Sequence, residues 1–241
     1  MTRACLAMLL LAGCSSTLDS DDYPVDPGGG GGGGRPRDAG VDGSGDAGDA
    51  STTIAGRVCA VVDLRNLTSC ATTGVGGLTV TLGNRTASTA DNGDFTITMP
   101  TGTNLTWRVT GNNFVTSVME LGGAPSIPTI DTVTYTELQT ANGVIPQAAQ
   151  GAIVARIVKA NLPVTGTVAM ASPTPQYATR YDGSSAAVWD EDATSTAGTA
   201  WFNGVPVGAS MITVSAPNEP TIVKSIVVAD QSISYATIVV P

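Results

Sequence analysis

From residue 52 to residue 241 the sequence predicts an all-β protein, arranged as two β-sandwiches in tandem. Three observations predict it. Threonine, valine and isoleucine are abundant and helix formers scarce, and β-branched residues suit a pleated, half-buried surface. Apolar and polar residues alternate in short runs such as Leu78-Thr79-Val80-Thr81-Leu82, which turns one face to a core and the other to water. Glycine, proline and asparagine punctuate these runs at short intervals, the pattern of many short strands.

Residues 1–13 read as an export signal. Met1-Thr2-Arg3 supplies a positive charge, and residues 4–12 form an apolar run of nine. That is far short of the roughly 20 residues that span a bilayer and suits a cleaved signal peptide. The run ends in Leu11-Ala12-Gly13-Cys14. This tetrapeptide resembles the lipobox of bacterial lipoproteins. The resemblance implies cleavage before Cys14, lipidation of Cys14 and attachment to a membrane, where several acyl chains hold firmly and one binds only marginally. In such lipoproteins the residue after the cysteine guides sorting. Ser15, in place of aspartate, implies the outer membrane and a cell-envelope location.

Residues 14–51 are expected to be the lipidated cysteine and a disordered acidic tether. Residues 15–51 contain the unbroken run Gly28 to Gly34 and eight Asp against Arg35 and Arg37, a net charge of −6. With almost no large apolar side chain, this stretch cannot offset the entropy cost of ordering. A Gly-rich coil of this length reaches roughly 30–35 Å root-mean-square, and self-repulsion extends it. Asp42, Asp46 and Asp49 lie among glycines but lack the regular spacing of stacked calcium-binding repeats.

Two cysteines remain beyond the signal and Cys14, namely Cys59 and Cys70. An exported chain with one such pair usually oxidises it, and the closed loop is worth roughly 3 kcal/mol in the chain-entropy model. A structural disulfide is expected. A zinc site needs four ligands, and the chain has no histidine.

The first sandwich is expected over residues 52–136. Strands fall at residues 54–62, 78–82 and 86–89. Asp91-Asn92-Gly93-Asp94 follows, where Asn-Gly signals a hairpin because both residues tolerate positive φ. Phe95, Ile97 and Met99 alternate, Pro100-Thr101-Gly102 turns the chain, and Leu105, Trp107 and Val109 face inward. Residues 114–121 and 129–135 close the unit. Residues 137–150, with Asn142-Gly143 and Pro146, read as a linker with hinge freedom. The second sandwich, residues 151–241, repeats the plan with strands at 152–158 and 164–170. Tyr177-Ala178-Thr179-Arg180-Tyr181 places both tyrosines on one strand face. Gly198, Pro206 and Gly208 match Gly93, Pro100 and Gly102, Met211, Ile212 and Val214 follow, and residues 233–240 form the last strand. Trp107, Trp201 and Phe202 are expected in the cores.

These positions carry a resemblance. Gly56-x-Val58, Gly77-Leu78-Thr79-Val80, Thr89-x-x-x-Gly93-x-Phe95, Pro100-x-Gly102 and Val109 stand in the first copy. Gly151-x-x-Val154, Gly166-x-Val168, Thr196-x-Gly198, Pro206-x-Gly208 and Val214 stand in the second. The pattern resembles carboxypeptidase regulatory-like domains, which belong with transthyretin-like and Cna-B-like sandwiches. It implies two Ig-like or transthyretin-like β-sandwiches of the kind found as accessory modules, with no catalytic site of their own. Some relatives cross-link a first-strand Lys to a last-strand Asn. Lys159 is near the right place, but residues 232–240 contain no Asn, so no isopeptide is expected.

The composition also excludes chemistry. Without histidine there is no Ser-His-Asp or Cys-His arrangement, and a glycosidase needs carboxylates on two sides of its substrate. The one dense acid cluster is Asp190-Glu191-Asp192, with Asp182 nearby in sequence, and neighbours in one loop do not flank a substrate. No enzyme activity, catalytic residue or metal site is expected. Residues 52–241 carry 12 acidic and eight basic residues, net −4, without a basic cluster, which argues against nucleic acid as a partner. The candidate ligand site is Tyr177, Tyr181 and Trp189 as stacking faces for sugars, with Asp190, Glu191 and Asp192 for hydroxyls or Ca²⁺ through hard oxygens. The competing reading puts the tyrosines on a core face and the acids in a solvated loop. Joint exposure of the three aromatics favours the site; burial favours the core. Asp91 and Asp94 are read as turn residues. Asn66-Leu67-Thr68, Asn84-Arg85-Thr86 and Asn104-Leu105-Thr106 match the glycosylation sequon as accidents of a Thr-rich chain.

The expected function is a lipid-anchored cell-envelope protein, a non-enzymatic structural or interaction module. Its partner would be an envelope protein or a glycan met through edge strands and end loops. The alternatives are a carbohydrate- or calcium-binding surface lipoprotein using residues 177–192, and an accessory subunit of a larger surface enzyme or secretion complex. Ca²⁺ is the only cofactor considered, and none is expected.

Overall fold

The computed structural model describes residues 52–67, 74–122, 125–190 and 192–241. The expected signal peptide, Cys14, the tether, Cys70 and Glu191 lie outside the described residues. The described chain belongs to one compact unit, Asp46–Pro241, and is all-β apart from one helix among the described residues.

The first half contains β1 (Thr53–Ala60), β2 (Thr79–Leu82), β3 (Arg85–Ser88), β4 (Asp94–Thr98), β5 (Thr106–Thr110), β6 (Thr116–Glu120) and β7 (Ser126–Thr129). One sheet has the order β4-β1-β7, with β1 and β7 parallel. Facing it are β3-β2-β5-β6, all antiparallel. Between them Val58, Phe95, Ile97 and Ile127 of the first sheet meet Val80, Leu82, Trp107 and Val109 of the second. Phe95 and Trp107 pack edge to face, ring centroids 5.5 Å apart, the geometry that aromatic quadrupoles favour.

After α1 (Thr132–Ala141) come β8 (Gln150–Lys159), β9 (Leu162–Pro163), β10 (Val168–Ser172), β11 (Arg180–Asp182), β12 (Trp189–Asp190), β13 (Thr199–Pro206), β14 (Gly208–Ser215), β15 (Ile222–Val228) and β16 (Ser232–Val239). The pairing repeats the first half. β13-β8-β16 copies β4-β1-β7, including the parallel pair of opening and closing strands, and β10-β14-β15 copies β2-β5-β6. The matched glycines do the same work in each copy. The Gly93 carbonyl accepts from Val58 N at 2.8 Å and the Gly198 carbonyl from Ile157 N at 2.7 Å. Both have positive φ, and a Cβ on either would lie within 2.7 Å of the carbonyl oxygen of that same partner residue.

The halves are not joined by a free hinge. β16 lies between β8 and β6 and runs parallel to both, pairing Ser232, Ile233, Ser234 and Tyr235 with Thr116, Ser117, Val118 and Met119. One long sheet therefore crosses both halves. On one face it packs Ile153, Ile157, Phe202 and Ile238 against Ile212 and Ile226 of the β10-β14-β15 sheet. On the other, Val154, Trp201, Ile233 and Tyr235 are covered by Val61, Leu64, Ile130 and α1 residue Tyr135.

Several expectations are corrected here. The strand expected at residues 129–135 ends at Thr129, and Asp131 caps a helix by accepting from Val133 N (2.8 Å) and Thr134 N (3.2 Å). The expected 137–150 linker begins with that helix. Asn142-Gly143, with Gly143 at φ +67°, is its stop signal. Asp91-Asn92-Gly93-Asp94 carries the chain between β3 and β4, which lie in different sheets, and is not a hairpin. The hairpin turn is Gly83-Asn84, between the paired residues Leu82 and Arg85. The strand expected at residues 164–170 is shifted to β10. β15 has no counterpart among the expected strands. The core placement of Trp107, Trp201 and Phe202 holds, each fully buried. Cys59 is also fully buried in β1.

Candidate functional site

The expected site at residues 177–192 is dispersed. Tyr181 and Trp189 are buried in cores on opposite faces of the long sheet. The Tyr181 hydroxyl accepts from Ala169 N at 2.8 Å and donates to Ala169 O at 3.0 Å. Trp189 packs on Trp201 at 5.1 Å. Tyr177 precedes β11, so it does not share a strand face with Tyr181. It is half-buried, and its hydroxyl is fixed by accepting from Ile145 N and donating to Ile145 O, both at 3.0 Å. Asp190 and Asp192 are exposed. By the exposure criterion Tyr181 and Trp189 are core residues, because a chain this poor in aromatic side chains uses them to fill its interior, whereas half-buried Tyr177 belongs to neither core.

Asp182 has a structural task. It is 1% exposed and accepts from three backbone amides, Ser195 N (3.0 Å), Ala197 N (2.8 Å) and Thr199 N (2.9 Å). It thereby holds the loop before β13. Beside it, Arg65 forks onto Asp63 through Nε and Nη2 and donates from Nη1 to Gly183 O at 2.8 Å. Asp63 bonding holds the Arg65 guanidinium above its ordinary range. Burial opposes that rise, and the charges of Asp63 and Asp182 reinforce it. This bridge ties the loop after β1 to the second half.

A site that sequence reading missed lies where the halves meet. A cleft of about 450 Å³ opens between α1, the start of β6, the start of β8, the end of β13 and the start of β16. A β-bulge lies in its wall. β13 pairs Asn203 with Ala152 and Val205 with Gly151, leaving Gly204 as the extra residue, at φ +67°. Bulges re-aim side chains and recur beside functional sites. Here the bulge returns Val205 to the core that holds Phe202 and leaves Asn203 on the face of Trp201, lining the cleft. Gly204 has to be glycine: a Cβ there would lie 2.6 Å from Gln176 Cβ.

The cleft lining contains polar atoms with no partner. Asn203 is 1% exposed, and neither its Oδ1 nor its Nδ2 has a hydrogen bond; Gln150 Oε1 is likewise buried without one. Burial pushes the Tyr135 phenol far above its ordinary range. Asp230 is the only carboxylate in the lining, and its Oδ1 accepts from Ala149 N at 2.8 Å. Ala149 (φ +60°) and Gln231 (φ +48°) hold left-handed backbone at the edge of the cleft, which costs a non-glycine residue about 1–2 kcal/mol. The arrangement offers hydrogen-bonding groups and an apolar wall, with Asp230 as the carboxylate of the lining. Among the described residues no group of His, Cys, Asp and Glu could hold a metal ion, and no helix is long and apolar enough to cross a membrane.

No family model matches the chain, and no curated protein matches it. Among solved structures, the Bacillus anthracis TIE protein is 14% identical with a TM-score of 0.28, the match covering 68% of this chain and 31% of that one. The pilus 2b backbone protein of group B streptococcus is 11% identical with a TM-score of 0.25, covering 69% and 78%. BcpA, the major pilin subunit of Bacillus cereus, is 10% identical with a TM-score of 0.23, covering 68% and 55%. The chain thus spans about a third of the TIE protein and about half of BcpA. At these TM-scores the likeness carries no weight, and the all-β fold rests on the strands and their pairing.

Proposed function

We propose that this chain is a membrane-tethered cell-envelope protein whose β unit is a non-enzymatic interaction module. The observation that carries the reading is Leu11-Ala12-Gly13-Cys14, placed directly after a nine-residue apolar run. Lipid on Cys14 holds the protein at the outer membrane. Residues 15–51, acidic and Gly-rich, then serve as its tether. A preformed cleft with a single carboxylate in its lining supports binding over catalysis. The export reading supports a structural disulfide between Cys59 and Cys70, since an exported chain with one such pair usually oxidises it.

The test is expression of the full chain and its Cys14→Ser variant in a Gram-negative host with a labelled fatty acid. The wild type is expected to carry the label and enter the detergent phase, while the variant stays unlabelled. An unlabelled wild type, or a variant that still carries the label, overturns the anchor.

A further inference from the structure

The cleft at the meeting of the two halves has a polar lining that the fold leaves unsatisfied. Native structures leave few buried polar groups unpaired, and each exception needs an explanation. A buried amide left unpaired bears its desolvation penalty, which a ligand or an ordered water bonded to it relieves. Asn203 presents both a donor and an acceptor without a partner, and Gln150 adds an acceptor beside it. The volume of about 450 Å³ falls in the range of small-molecule sites, which favour interfaces between substructures.

The lining also selects a chemistry. Apart from Asp230 it contains no charged residue, so an anionic ligand would enter without a counter-charge, at a desolvation cost. Sugar hydroxyls donate and accept at once, matching carboxamide side chains that do the same. Phe114 and the Tyr177 ring supply an apolar wall, and the two hydrogen bonds to Ile145 hold that tyrosine in place. A peptide is the poorer match, since extended peptides bind by pairing with an open sheet edge. The strands ending here do not offer one: the end of β13 is paired with β8 and takes bonds from Gln176 N and Tyr177 N on its other edge, β8 is paired with β13 and β16, and β16 with β8 and β6.

We propose that the cleft is a saccharide-binding site, taking one neutral sugar unit of a glycan with Asn203 and Gln150 on its hydroxyls and Tyr177 along its ring. This deepens the interaction-module reading and is independent of the anchor, because the test uses the full chain carrying Cys14→Ser. Calorimetric titration is run with neutral trisaccharides of glucose, mannose, galactose and N-acetylglucosamine at millimolar concentration. At least one is expected to bind. Asn203→Leu is expected to weaken that sugar about tenfold or more, the equivalent of losing one or two hydrogen bonds, while leaving the thermal midpoint unchanged or raised.

A merely structural amide predicts the reverse, a lower midpoint and unchanged binding. Gln150→Met, on the rim of the same site, gives a second variant should Asn203→Leu fail to fold. The Asn203 side-chain amide resonance of the unmutated chain is expected to shift on addition of the sugar. No binding across the panel, binding retained in both variants, or an amide resonance that ignores the bound sugar overturns the proposal.

Discussion

Replacing Asp182 with alanine separates the structural reading of residues 177–192 from the ligand reading. The carboxylate is fully enclosed and accepts from Ser195 N, Ala197 N and Thr199 N at 2.8–3.0 Å. Hydrogen bonds to a charged group are worth about 1.5–3 kcal/mol each, and buried donors left unpaired bear their full desolvation penalty. Ser195 and Ala197 are half-buried and Thr199 fully buried, so water can recover part of the loss at two of the three. The net cost is about 4 kcal/mol, a large share of the 5–15 kcal/mol that holds a typical domain together. For a unit of this size that lowers the midpoint by about 10 °C. Asp182→Asn keeps one acceptor oxygen and should cost about half as much. Exposed Asp190→Ala and Asp192→Ala should stay within about 0.5 kcal/mol of wild type. Urea unfolding of the Cys14→Ser chain, followed by far-UV circular dichroism, measures all four. An Asp182→Ala variant within about 1 kcal/mol of wild type would refute the claim that this acid is a structural pin.

The paired glycines give a second expectation. Gly93→Ala and Gly198→Ala should each cost at least about 2 kcal/mol, since both combine positive φ with a backbone carbonyl in the way of Cβ. Gly77→Ala, at φ +75° with nothing near its Cβ, should cost about 1 kcal/mol; equal costs in urea would undo the distinction. A third expectation concerns alkaline pH. Burial raises the Tyr135 and Tyr235 phenols far above their ordinary range, so the fold retains protons that the unfolded chain loses above pH about 10. Stability is therefore full below that pH and falls as pH rises above it, by about 1.4 kcal/mol per pH unit for each tyrosine. Their phenolate absorbance should appear together with unfolding; titration near pH 10 in an intact fold would contradict it.

Strands with clean alternation, such as Thr79–Leu82 and Asp94–Thr98, were legible because each packs one face on a core. The repeat was legible in part because Gly93 and Gly198 stand at matching close approaches of backbone to backbone. The helix was not, since Thr132-Val133-Thr134 is β-branched and reads as strand. Only Tyr135 and Gln139, one turn apart, are buried in it. Its cap Asp131 and its stop at Asn142-Gly143 were the available signals. Tyr177 and Tyr181 have strand spacing, but Pro173 and Pro175 precede them and the strand starts only at Arg180. The cleft gathers segments from Phe114 to Ser232, and no local pattern announces such a site. Gly204 inside a strand run is the one hint, a bulge signal that exposes Asn203's role only once the topology is known.

The central structural claim is that β16 welds the two halves into one unit and so builds the cleft. Native-state hydrogen exchange of the Cys14→Ser chain at rising denaturant tests it directly, because regions that open independently separate by their free energies. The fold predicts that amides of β1, β6, β8 and β16 merge into a single opening step. Exchange of residues 52–129 while residues 150–241 stay protected would contradict it and return the chain to two separate sandwiches.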